Sequence, residues 1–246
     1  VLDEALDLFL GSRCVGCDLP GRMLCPACRG GLSRTPRVAW PSPVPAGLVT
    51  PWVAESYEGA VRALVVGHKD RGQWGHRRVL GALLADAVRG AVSDLEPDVP
   101  LLLVPVPSRP GAGRRRGYEA TAALVRTAAR GLRRERSVVL APILASRGAA
   151  DQAGLDAGDR ATNMAGSMHC PSAALARAGR RRRAAYVVVC DDVVTTGSTA
   201  REAQRALEAV GLPPVAIAAV AATRRRAGQG RGPRGDPTVG PGARRG

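Results

Sequence analysis

Aromatic residues make up only 3% of this 246-residue chain, with a single phenylalanine. A core built on stacked rings is therefore excluded, and the apolar interior has to come from Val, Leu and Ala, which suits helices packed on a parallel sheet. The same scarcity weighs against direct stacking of a single nucleic-acid strand, because such binders use aromatic platforms. Lysine is nearly missing too. Lys69 stands alone, so the net charge of +15 is an arginine charge, as GC-rich codons would produce. A charge of that size concentrates phosphate-rich metabolites, nucleic acid and acidic membranes alike and selects none of them.

No apolar run approaches the roughly 20 residues of a membrane span. The apolar start, "VLDEALDLFL", carries three acids, and no basic region leads into an apolar one as a secretion signal would require. The expectation is a cytoplasmic protein. A GxxxxGK[ST] phosphate loop is also absent.

What remains is a 45% hydrophobic chain, long enough for one main domain with appendages. Four of its six cysteines fall in residues 1–40, and a proline-rich "PSPVPAG" at 41–47 reads as a linker. Beyond it, apolar runs alternate with helical patterns. The runs are 48–54, 101–107, 137–144, 185–192 and 215–223; the helical patterns cover 57–67, about 77–92, 120–132 and about 198–210. This rhythm predicts an α/β domain over 48–223 with a doubly wound, mostly parallel sheet. Residues 146–183 lose the pattern and read as a mobile loop followed by a basic connector at Arg180 to Arg183. Residues 224–246 form a basic tail with almost nothing to bury, which predicts disorder.

The cysteine spacing is Cys14-x2-Cys17-x7-Cys25-x2-Cys28. Two CxxC pairs this close can offer four thiolates to one tetrahedral ion, and zinc takes four sulfurs at about 2.3 Å without redox demands. A small zinc-ribbon-like module follows, drawing folding energy from the metal. Paired disulfides and a redox CxxC are the competing readings; the cytoplasmic expectation disfavours the first and the duplicated motif the second. Cys170 and Cys190 fall outside the spacing, and Cys190 reads as a buried strand residue. His68, His76 and His169 show no ligand spacing and read as structural or surface residues.

The densest chemistry lies in "VVVCDDVVTTGSTARE" at 187–202. An apolar strand ends on Asp191 and Asp192 and gives way to Thr195, Thr196, Gly197, Ser198 and Thr199 before an amphipathic helix. A helix N-terminus offers unpaired N–H groups and a positive dipole end, hydroxyls add donors, and Gly197 allows close approach. A capped helix with no ligand would account for the hydroxyls. It leaves the two acids idle, whereas ligands of α/β sheets bind at just such strand ends.

This stretch resembles the phosphoribosyl pyrophosphate (PRPP) loop of type I phosphoribosyltransferases. The resemblance implies that Asp191 and Asp192 contact the ribose hydroxyls and that Thr195 to Thr199 cradle the 5′-phosphate. Four further segments resemble the ComF family, phosphoribosyltransferase-like proteins associated with bacterial DNA uptake and competence. These are the cysteine module after "LDLFLGSRC", "YEGAVRALVVGHKDRG" at 57–72, "PVPSRPGAGRRRGYEA" at 105–120, and "SRGAADQAGLDAGDRATNMAGSM" at 146–168. Glu119 and Ala120 depart from the Asn-Gln usual there, and Met168 replaces a common phenylalanine.

By that resemblance Ser108 and Arg109 belong to a diphosphate-binding turn, Arg147, Gln152, Arg160 and Asn163 to a lid, and Mg²⁺ accompanies PRPP. Lys69 and Asn163 are the only lysine and the only asparagine of the chain, and both fall on motif positions. Lysine is a compact charge that can approach a diphosphate. The expected activity is phosphoribosyl transfer from PRPP to a nitrogen acceptor, with Asp191, Asp192, Lys69 and Arg109 as the catalytic set. Two competing readings share the loop: a non-catalytic PRPP- or nucleotide-sensing adaptor for single-stranded DNA or a DNA-uptake helicase, and a nucleobase-salvage enzyme. The cysteine module weighs against the last.

Overall fold

The computed structural model describes residues 12–108, 118–146, 166–179 and 184–223. Its strands are β1 (Arg37–Val38), β2 (Pro51–Ser56), β3 (Leu101–Pro105), β4 (Val138–Leu140), β5 (Ala145–Ser146), β6 (Met168–His169), β7 (Tyr186–Val194) and β8 (Pro214–Ala222). Its helices are α1 (Pro26–Gly30), α2 (Gly59–Asp70), α3 (Arg77–Ala91), α4 (Ala120–Leu132), α5 (Ser172–Gly179) and α6 (Ser198–Glu208), with a 3₁₀ turn at Trp74–His76.

Six strands form one sheet in the order β1-β2-β8-β7-β3-β4, parallel except for β1. The central strands are apolar without interruption because both faces of the sheet are covered. In β7, Val188 and Cys190 join a core with Leu64, Leu84 and Leu124 of α2, α3 and α4. The alternate residues Val187 and Val189 join a second core with Ala200, Ala203 and Leu207 of α6. Helices thus flank both faces, an architecture compatible with a doubly wound fold. Leu80, Leu83, Leu84, Ala87 and Val88 of α3 recur at helical spacing and are all buried. Gly81 lets α3 lie close on α4, since a Cβ there would stand 2.6 Å from Thr127 Cβ.

Connections set the location of the crevice. From β3 the chain runs through α4 to β4 on one side; from β7 it runs through α6 to β8 on the other. The carboxyl ends of β3 and β7 therefore flank a topological switch point, where open α/β sheets leave room for a ligand.

Three expectations change in detail. Within 146–183 the described residues 166–179 carry structure: β6 pairs antiparallel with β5 through Ala145↔His169 and Ser146↔Met168, and α5 follows. Two-residue strands and an eight-residue helix are too short to show a period. The proline-rich 41–47 is not a free linker, because Arg201 donates to the Ala46 carbonyl (3.0 Å) and Gln204 to that of Gly47 (2.8 Å). Nor do the cysteines stand apart from the domain: Cys14 and Leu24 share a core with Val61 and Leu64. No described helix is long and apolar enough to cross a membrane. Arg109, Arg147, Gln152, Arg160, Asn163, the Arg180 to Arg183 run and the tail lie outside the described residues.

Candidate functional site

The ladder between β3 and β7 ends at Pro105↔Cys190, with one more bond from Val106 N–H to the Cys190 carbonyl (2.9 Å). On its other edge β7 continues beside β8 as far as Val194↔Ala222. Asp191 and Asp192 are thus the first residues of β7 without a β3 partner, and they border the switch-point crevice. Both are buried, at 8% and 4% exposure.

Each carboxylate accepts a backbone N–H, Asp191 Oδ1 from Asp192 (2.8 Å) and Asp192 Oδ1 from Val193 (2.9 Å). Lys69, in the last turn of α2, places Nζ 2.7 Å from Asp192 Oδ2. Burial and then the neighbouring charge of Asp192 hold the Asp191 carboxyl well above its usual range, while Lys69 pulls it down. Burial lowers the Lys69 ammonium, but the charge and hydrogen bond of Asp192, with Asp191 and Asp70 behind them, leave it raised. Two buried acids and one half-buried ammonium thus meet at the crevice.

Gly197 follows in the left-handed region, φ +75° and ψ −4°, as the N-cap of α6. A side chain there would be strained and would place Cβ 2.8 Å from Pro41 Cγ and 3.3 Å from Leu48 Cδ2 and Pro45 Cγ. The proline segment therefore forms the back wall of the turn. In front, Thr195 and Thr196 are exposed, Thr196 Oγ1 lies 3.1 Å from Ser198 Oγ, and the first amides of α6 have no carbonyl within the helix to bond. The Ser198 N–H is directed at Thr196 Oγ1 (3.4 Å), and helix N-termini of this kind can receive anions.

Ser108, three residues past the end of β3, is held from two sides. Its N–H donates to Glu119 Oε2 (3.2 Å), and its carbonyl accepts from Ser146 Oγ (3.2 Å). Glu119 thus shapes this turn as an acceptor. On the opposite side, buried Glu202 of α6 accepts from Met168 N–H (2.9 Å) and from Arg205 Nε and Nη2 (2.8 Å each), and Arg205 also donates to the Met168 carbonyl. Glu202 and Arg205 clamp β6 to α6.

The four N-terminal cysteines form a second centre. One ligand atom from each of Cys14, Cys17, Cys25 and Cys28 lies within 4.8 Å of all the others; four sulfurs about 2.3 Å from one tetrahedral ion would be about 3.8 Å apart. Cys14 Sγ accepts N–H bonds from Gly16 (3.4 Å) and Cys25 (3.3 Å), and Cys25 Sγ accepts one from Cys28 (3.4 Å). Although burial opposes it, the bonds from Cys25, Gly16 and Cys17 lower the Cys14 thiol to about 6, whereas the neighbouring Cys25, Cys17 and Cys14 sulfurs push Cys28 up to about 12. A Cβ on Gly16 would stand 2.8 Å from Cys28 Sγ, so only glycine fits inside the cluster. All six cysteines are free, and these four could bind a metal ion such as zinc. Cys190 is fully buried, and burial and Asp191 push its thiol up.

No protein-family model matches the chain, and no curated protein matches it.

The structure brings Asp191, Asp192, Lys69 and the turn Thr195 to Thr199 into one region, with Ser108 past the end of the partner strand. His68 and His76 are buried structural residues, their rings within bonding distance of the carbonyls of Ala120 (3.2 Å) and Leu64 (3.0 Å). The sequence reading missed Pro41, Pro45, Glu202 and Gln204 as supports of this region. A buried Glu and Gln on an amphipathic helix look like surface residues until their partners, far away in sequence, are known.

Proposed function

We propose that the chain binds PRPP at the carboxyl end of β7 and transfers its phosphoribosyl group to a nitrogen acceptor. The observation that carries this reading is the position of two buried acids at the switch point, three residues before the turn that opens α6. The 5′-phosphate would lie on the amides and hydroxyls of residues 195–199, and the ribose hydroxyls would donate to Asp191 and Asp192. The acceptor nitrogen forms a bond to the anomeric carbon as the carbon–oxygen bond to diphosphate breaks, its electron pair leaving with diphosphate. Lys69, paired with Asp192 at 2.7 Å, would exchange it for the departing oxygens.

Apart from the cysteines, no described group of three His, Cys, Asp or Glu side chains is close enough to hold a metal. Mg²⁺ bound with the diphosphate, as the resemblance implies, would supply charge neutralisation. The resemblance to ComF proteins supports a link to DNA uptake.

The test is thermal. PRPP with Mg²⁺ should raise the melting temperature, and Asp191→Asn with Asp192→Asn should abolish the rise; no stabilisation of the parent protein ends the assignment. Diphosphate release on incubation with a panel of amines and bases separates the transferase from a PRPP-sensing adaptor, which would release none.

A further inference from the structure

The only lysine of the chain stands on a peptide that another element holds. Lys69 lies in the last turn of α2, where the final carbonyls of a helix have no N–H partner within it. The return turn serves one of them, for Gln73 N–H donates to the Gly67 carbonyl (3.0 Å). The next, that of His68, accepts the hydroxyl of Tyr118, fifty residues along the chain. The His68 carbonyl and the Lys69 N–H belong to one planar peptide unit, so this bond fixes the plane from which the lysine side chain departs.

Tyr118 is itself held by its neighbours. Trp74 of the 3₁₀ turn lies against its ring, with centroids 4.6 Å apart and planes inclined by 33°. The buried His68 ring meets it edge-on at 5.7 Å, and His68 Nε2 lies 3.2 Å from the carbonyl of Ala120, the first residue of α4. Main chain and side chain alike thus tie the end of α2 to the start of α4. Between Tyr118 and Ala120 stands Glu119, whose carboxylate accepts the Ser108 N–H beyond β3 (3.2 Å). Two consecutive side chains therefore set Lys69 and Ser108, which belong to different elements, against one short segment. An ammonium that is 41% exposed can leave its carboxylate for water at little cost, so where its backbone stands decides the pairing.

We infer that Tyr118 is a positioning residue: its hydroxyl, through the peptide joining His68 to Lys69, holds the ammonium on Asp192 and, with PRPP bound, on the leaving diphosphate. The second half rests on the PRPP reading; the first does not.

The single lysine makes the test selective. Protein grown with nitrogen-15 lysine gives one side-chain ammonium signal by NMR in mildly acidic buffer, and Asp192→Asn marks where that signal lies without its partner. Tyr118→Phe keeps the ring contacts to Trp74 and His68 and removes only the hydroxyl. It should carry the signal most of the way to the Asp192→Asn position. By calorimetry the same variant should bind Mg·PRPP about tenfold more weakly, as expected for a group displaced by a fraction of an ångström. Ribose 5-phosphate, which lacks the diphosphate, should bind within about twofold of the parent, and in a Lys69→Met background Tyr118→Phe should add less than about twofold. An ammonium signal that stays at the parent position in Tyr118→Phe overturns the inference. So does a loss of PRPP affinity that is equally large with Lys69→Met or with ribose 5-phosphate, since that is a general loosening of the fold. A parent that binds no PRPP, with the signal still governed by Tyr118, removes the transferase reading and leaves the positioning of Lys69 standing.

Discussion

Lys69 Nζ stands 2.7 Å from Asp192 Oδ2, so the only ammonium side chain of the protein neutralises one of the two acids at the end of β7. Lys69→Met would leave both carboxylates buried without it. Breaking a fully buried pair costs about 3–5 kcal/mol. Because the Lys69 side chain is 41% exposed, water screens much of this, and about 1–2 kcal/mol is expected in urea unfolding at pH 7. Lys69→Arg should restore most of the stability and little of any diphosphate release, since a planar fork replaces a compact charge.

Asp191→Asn should stabilise the ligand-free protein. The Asp191 carboxyl is held above its usual value of 3.8, so its contribution to stability is full below that pH and is lost as pH rises through the raised folded-state value. The asparagine does not titrate. Variant and parent should therefore match in acid and diverge as pH rises, reaching about 1–3 kcal/mol in favour of Asn. A parent more stable than the variant at pH 8 would contradict this.

Gly197→Ala combines a left-handed backbone with a Cβ 2.8 Å from Pro41 Cγ. The expected loss is about 2–3 kcal/mol, read as a lower midpoint in chemical denaturation. Binding of inorganic phosphate or PRPP should fall with it, because the turn must shift.

Glu202→Gln should weaken the clamp on Met168. Burial raises the Glu202 carboxyl, but the hydrogen bond to Arg205, the Met168 amide and the Arg205 charge outweigh it and lower it below 4.5. Its stabilisation is thus present above pH 4.5 and is lost as pH falls through the depressed value. The parent should exceed the variant by about 1–2 kcal/mol at pH 7, and the gap should close in acid.

Purified protein should carry close to one zinc per chain. Because Cys14 and Leu24 lie in the core beside Val61 and Leu64, stripping the metal with a chelator, or Cys14→Ser, should lower the main melting transition. A separate early transition, with the main one unchanged, would show an independent module instead.

Periodicity was enough to locate α4 over its full length, 120–132, and α6 from its first residue, because each carries an apolar stripe several turns long. Asp191, Asp192 and Gly197 were legible because carboxylates and glycine are conspicuous against valine and threonine. The docking of 41–49 was not, since it runs through the carbonyls of Ala46 and Gly47 and the Val49 N–H, which bonds Gln204 Oε1 at 3.0 Å. Backbone groups are the same in every residue, so composition is blind to them. The pairing of Trp74 with Tyr118 spans two elements and depends on how α2 and α4 meet.

The wall of Pro41, Pro45 and Leu48 behind Gly197 has a kinetic consequence. A phosphate bound here as proposed would meet a turn whose backbone the wall already holds in place. Association should then follow diffusion and the protein's positive field, slowing with added salt and changing little with viscosity-corrected temperature. The ligand should enter phosphate first, and that end should be the last to let go.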